Sequence, residues 1–161
     1  MTYRAPDDTR VGHIHLKVSD LERSIAFYRD ILGFEVTLRY GEKAAFMAAG
    51  DYHHHIGLNT WESLGGAPSP KGHAGMYHVA FVFPDRPALG RAVAEVQKAG
   101  VNIYGAADHG VSEAVYFDDP DGNGIELYWD RPQREWPRDS EDALTIINGP
   151  LDVAALVAGA G

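Results

Sequence analysis

Residues 51–60 read DYHHHIGLNT, so three consecutive imidazoles, His53, His54 and His55, sit in a stretch that otherwise reads as a strand. An imidazole changes charge near neutral pH, so a histidine can take up and return one proton or offer a lone pair to a metal. An internal run of this kind is not a terminal tag. It marks a hydrated strand edge, a polar cluster in a core, or the wall of a reactive pocket. Other residues narrow the choice. His13 stands seven residues before Asp20, and His78 stands seven before Asp85. Glu126 lies within the apolar stretch GIELYW, where an ionised carboxylate is costly to bury without a cation or partner. Two neutral imidazoles and a carboxylate are the donor set that suits a divalent metal with open positions.

Two copies of one unit carry these residues. GHIHLKVSDLERSIAFYRDILGF and YHVAFVFPDRPALGRAVAEVQKAGV each run through a histidine, an alternating apolar stretch, an aspartate, a helical segment and a glycine. In the first helix Leu21, Ile25, Tyr28 and Leu32 fall on one face of a 3.6-residue period, with Ser19 or Asp20 as cap and Gly33 as stop. In the second, Leu89, Val93 and Val96 form the stripe between Asp85 and Gly100. Three strand-like runs follow each helix: FEVTLRY, KAAFMAA and HHHIGLN, then VNIYGA, SEAVYFD and IELYWD. The expected fold is α+β, two β-α-β-β-β units in one domain. Unit one covers about residues 11–60, a Gly- and Pro-rich linker 61–75, unit two about 76–130, and a tail 131–161. Within the tail, LDVAALVA reads as a short docking helix, for packing or a dimer contact.

Paired β-α-β-β-β units with histidines at matched positions resemble the vicinal oxygen chelate superfamily, over about residues 11–130. This group includes glyoxalases, bleomycin-resistance proteins, fosfomycin-resistance enzymes and extradiol dioxygenases. The resemblance implies two sheets curled into a cup and a metal held by His13, His78 and Glu126. His15 rivals His13, because alternation puts both on one face, but only His13 mirrors the spacing of His78; His15 then serves as a cavity wall or a support for a ligand. Aligning IGLN with IELY sets Gly57 opposite Glu126, so no fourth side chain reaches the metal from unit one. On the same alternation His55 and His53 face the side of Gly57 and His54 faces away.

The resemblance is closest to extradiol dioxygenases of the catechol 2,3-type. Their signature of histidine, spacer, tyrosine, acid-proline-x-glycine and glutamate is matched by HGVSEAVYFDDPDGNGIE, which supplies His109, Tyr116, Asp119, Pro120, Gly122 and Glu126. Ala107 departs from the pattern two residues before His109. DDPDGNG is also simply a good hairpin turn. The resemblance implies Fe(II), or Mn(II), with Ni or Zn acquired in purified protein. Its substrates would be a catechol-like aromatic diol and O2, with His55 as the acid–base group and Tyr116 and His109 as hydrogen-bond partners of the diol. Two other functions share the fold: a metal-dependent lyase or thiol transferase of the glyoxalase and fosfomycin-resistance kind, and a non-enzymatic binder of small molecules.

Composition sets the outer bounds. A formal charge of −9 argues against nucleic acid or an anionic membrane as a partner. No apolar run approaches the roughly 18 residues of a spanning helix, and the N-terminal segment lacks the apolar core of a signal peptide. The absence of cysteine removes disulfides and thiolate chemistry. A cytoplasmic homodimer acting on a small molecule is the resulting expectation.

Overall fold

Helix caps fix the two main turns of the chain. Asp20 accepts a hydrogen bond from the Arg23 amide at 3.0 Å and starts α1, Leu21–Ala26. The helix runs on into a π-helical turn, Phe27–Ile31, that keeps Tyr28 buried. Asp85 accepts from the Ala88 amide at 2.7 Å and starts α2, Arg86–Lys98, whose Leu89, Val93 and Val96 are buried. Gly33 and Gly100 follow with φ of 77° and 71°, the left-handed conformation expected of a helix stop. Of the two caps considered for α1, Asp20 is the one used.

The computed structural model describes residues 2–70 and 72–161. It has the α+β architecture, with two mixed sheets, that the repeat implies. Contacts divide the chain into two compact units. One extends to Ala67 without Asp30–Leu32; the other comprises Asp30–Leu32 and Pro68–Gly161. In the first, β1 (Ile14–Lys17), β2 (Glu35–Tyr40), β3 (Ala44–Ala48) and β4 (Ile56–Asn59) form a sheet in the order β1-β4-β3-β2. The β1–β4 pair is parallel, and the others are antiparallel. Met47, Ile56 and Leu58 are buried on the face where α1 packs over β3 and β4. Each such side chain stabilises the fold by about 1.5–3 kcal/mol.

The second unit repeats the plan with β5 (Val79–Val82), β6 (Gly105–Asp108), β7 (Ser112–Asp118) and β8 (Gly124–Asp130). Its order is β5-β8-β7-β6-β9, with β5 and β8 parallel. VNIYGA was expected as a strand over 101–106, yet β6 begins at Gly105. The residues before it leave α2, and the Val101 amide still bonds the Val96 carbonyl at 3.2 Å. The tail belongs to this unit. Its β9, Gly149–Pro150, extends the sheet beside β6, and α3, Val153–Ala158, buries Leu156 and packs on α2. The docking helix expected in LDVAALVA is therefore present, as packing within the unit.

A buried charge network fastens the far edge. Glu113 on β7 accepts from Arg86 at 2.7 Å and Arg131 at 2.8 Å, and Arg131 also reaches Asp108 at 2.7 Å. Burying a carboxylate costs several kcal/mol unless it is paired, and both oxygens of Glu113 are. The network ties the start of α2 and the end of β8 to the turn after β6 that carries His109.

Candidate active site

The sheet registers set the site. In the second unit Glu126 lies between Ala80 on β5 and Tyr116 on β7, and Gly105 on β6 pairs with Tyr116. In the first unit Gly57 lies between His15 on β1 and Phe46 on β3. Gly57 and Glu126 thus hold equivalent places, as the alignment of IGLN with IELY anticipates.

In the second unit the polar side chains form one continuous line. Glu126 Oε2 is 2.9 Å from His78 Nε2, and Glu126 Oε1 accepts from the Tyr116 hydroxyl at 3.0 Å. The Tyr116 oxygen is also 2.8 Å from His109 Nε2. His109 Nδ1 lies 3.2 Å from the Ile147 carbonyl, while the Ile147 amide donates to the His109 carbonyl at 3.1 Å. A carbonyl only accepts, so Nδ1 carries a proton. In a neutral His109, Nε2 then accepts, and histidine and carboxylate compete for the single hydroxyl proton of Tyr116. Burial raises the pKa of that phenol, and the Glu126 charge and hydrogen bond raise it further, so it stays protonated at neutral pH.

Gly124 explains how His78 comes so close to Glu126. A Cβ at residue 124 would lie 2.4 Å from the Tyr77 carbonyl and 3.2 Å from the His78 Cβ. Only glycine lets the segment before β5 approach β8 at this point. The last glycine of DDPDGNG therefore has a task in the site beyond the turn, while Asp119 holds the turn by accepting from the amides of Asp121 and Asn123.

The first unit gathers its histidines differently. His13 directly precedes β1. Its ring centroid is 4.4 Å from that of His54, and His54 in turn is 5.0 Å from Phe46. His53 Nδ1 is 2.7 Å from His54 Nδ1, so one proton serves both nitrogens. His15 lies across Gly57, where a Cβ would stand 2.9 Å from its ring, and it contacts Phe46 at 5.8 Å and Trp61 at 5.6 Å. Partial burial lowers the pKa of His15, with a further lowering from His13. Desolvation and then the surrounding imidazoles do the same to His54.

The orientation expected for the histidine run is reversed. Alternation places His55 toward the Gly57 side and His54 away from it, but β4 begins only at Ile56, and the backbone bends at His53 and His55. Alternation requires extended backbone. His54 is the histidine beside His13. His55 instead contacts Tyr52 at 4.7 Å and Phe34 at 6.1 Å, accepts from the Ala49 amide at 3.3 Å, and lines a cavity of about 470 Å³ with Arg10 and Tyr52.

Among the described residues, no three His, Asp or Glu side chains converge as a ready metal cluster. Of the three expected ligands, His78 and Glu126 meet in the second unit, and His13 belongs to the first. The chemistry of the pair fits a divalent ion: an imidazole nitrogen and a carboxylate oxygen, both part-exposed, at 32% and 13% of the side chain. Sequence reasoning did not single out Phe46, Trp61 or the Ile147 peptide. Phe46 is recoverable as the cross-strand partner of Gly57; a backbone clamp leaves no mark on residue type.

The family model for the Glyoxalase/Bleomycin resistance protein/Dioxygenase superfamily matches residues 10–127. The chain belongs to this superfamily. Similar superfamily members include a catechol-2,3-dioxygenase of Bacillus subtilis (strain 168), 38% identical over 156 residues, 96% of this chain and 53% of that protein. A metallothiol transferase FosB of Staphylococcus epidermidis is 32% identical over 122 residues, 74% of this chain and 81% of that protein. Among solved structures of the superfamily, a glyoxalase/dioxygenase from Nostoc punctiforme aligns with a TM-score of 0.66 at 28% identity, over 82% of this chain and 99% of that one. The chain spans about half the length of the Bacillus dioxygenase.

Proposed function

We propose that this protein is an extradiol dioxygenase. It would cleave a catechol-like ring beside its two hydroxyls and place both atoms of O2 in an acid–aldehyde product. The observation that carries this reading is the line His109–Tyr116–Glu126–His78, in which a metal-type donor pair is continuous with a neutral phenol and an imidazole. His13, His78 and Glu126 would hold Fe(II), with Mn(II) as the alternative. A metal bound there supplies a cationic anchor for both diol oxygens and a place for dioxygen.

The chain's own residues would manage the protons. Tyr116, protonated, would turn its one hydroxyl proton from Glu126 to a diol oxygen, and His109 would take that proton from Tyr116 or return it as the reaction requires. His54 takes the acid–base task expected of His55, because its ring lies beside His13 whereas His55 is turned toward Tyr52 and Phe34. His15, Phe46 and Trp61 form an aromatic wall on the first unit's face.

The size match to a metallothiol transferase, 81% of that protein covered, supports a second reading, a metal-dependent transferase. One experiment separates the two. Protein loaded anaerobically with Fe(II) or Mn(II) is mixed with catechol and O2. Oxygen uptake with a yellow ring-opened aldehyde is expected. In a parallel mixture with a thiol and an electrophilic acceptor in place of catechol, thiol transfer without oxygen uptake would establish the transferase.

A further inference from the structure

Two residues along each strand from Glu126 lies a second row on the same sheet face. Val82 pairs with Tyr128, Tyr128 with Ala114, and Ala114 with Ala107. The row is apolar apart from one phenol hydroxyl, and Val82 at its edge is 58% exposed. Ala114 and Ala107 are closed to solvent, so the open part of the row is Val82 and Tyr128, directly beside Ala80 and Glu126.

Charge decides what can lie there. Every Lys and Arg described in the second unit already has a partner. Arg86 and Arg131 hold Glu113, and the others pair with Glu95, Glu135, Asp142 and the Ala160 carbonyl. The nearest charges on the face are the Glu126 and Asp130 carboxylates, one row away on either side. An anionic substituent would lose its hydration, meet a like charge and find no free cation among the described residues of this unit.

We infer that the Val82–Tyr128 end of this row receives the ring substituent of the substrate and that the substituent is uncharged and apolar, an alkyl or aryl group and not a carboxylate or phosphonate. This rests on the ring-cleavage reading for the diol itself, but the preference can be measured without turnover. Equilibrium binding of 4-ethylphenol and 4-hydroxybenzoate to the metal-loaded protein compares the two substituents on phenols that cannot be ring-cleaved. The ethyl compound should bind roughly tenfold more tightly, the ratio expected for two buried carbons. Val82→Lys supplies a cation at an exposed position and should narrow the ratio to about two- or threefold, while Val82→Leu should keep it. Equal affinities in the wild type, tighter binding of the benzoate, or an unchanged ratio in Val82→Lys would each overturn the inference. Oxygen uptake with 4-ethylcatechol is followed in parallel. No uptake with the binding preference intact defeats the ring-cleavage reading alone; uptake with no preference defeats this one alone.

Discussion

The two units share a plan and reverse one detail of it. In the first, the parallel pair sets His15 opposite Gly57; in the second, it sets Ala80 opposite Glu126. Each row has one large polar side chain beside one small residue, but the large one has changed strands. The surroundings follow. His15 lies over bare backbone between two aromatic rings, while Glu126 is hydrogen-bonded on both oxygens. One duplicated framework thus yields an aromatic wall in one half and a proton-bearing line in the other, set by which strand carries the bulk.

Breaking the polar half should have the largest effect. Glu126→Gln keeps the shape and removes the charge; bound metal should fall by more than tenfold and ring cleavage by at least about 10³-fold. His78→Ala should do the same. Metal analysis showing either variant fully loaded would remove the pair from the proposed ligand set.

Next in size is the histidine run of the other half. His54→Ala should retain metal and diol binding and lose roughly 10²–10⁴-fold in kcat, the usual contribution of a positioned acid–base group. His55→Ala should stay within a few-fold. Single-turnover rates decide: a slow His55 variant beside a fast His54 variant would restore the assignment drawn from alternation.

Why that alternation misled is physical. The helices were legible because their signals are redundant: Asp20 and Asp85 as caps, stripes such as Leu89–Val93–Val96, and Gly33 and Gly100 as stops all agree. The equivalence of Gly57 and Glu126 was legible because β4 and β8 have matching apolar flanks. Three identical polar residues carry no phase, so nothing in HHH reports the bends at His53 and His55. The π-helical turn at Phe27–Ile31 preserves the same apolar face and was equally silent. The pairing of His78 with Glu126 depends on Gly124, which the sequence offered only as a turn residue.

The comparison can be sharpened at Gly57. A Cβ there meets the His15 ring at 2.9 Å, so Gly57→Ala should destabilise by about 1–3 kcal/mol, a typical overpacking cost. His15→Ala removes the ring. The double variant should recover most of the loss, giving an interaction energy of about 1 kcal/mol or more in denaturant titrations. Strict additivity would show that the two side chains do not share this space. The same geometry means that Gly57→Glu must displace His15 before its carboxylate can reach a metal.

The smallest effect belongs to the tail. His109 is held on both sides by the backbone of one residue, its carbonyl accepting from the Ile147 amide and its Nδ1 facing the Ile147 carbonyl. The Ile147 side chain takes no part in either contact, so Ile147→Val should behave as wild type. Ile147→Pro deletes the amide donor and leaves the His109 carbonyl without that bond, at a cost of about 0.5–1.5 kcal/mol. Freed on one side, His109 should spend less time with Nδ1 on the carbonyl and Nε2 toward Tyr116. The expected outcome is a two- to fivefold fall in kcat with metal content and KM unchanged. A fall in metal content would instead mean that the tail supports the fold around Glu126. A kcat equal to wild type would show that Tyr116 needs no help from the tail to hold its proton, and that the polar half is set by its strands alone.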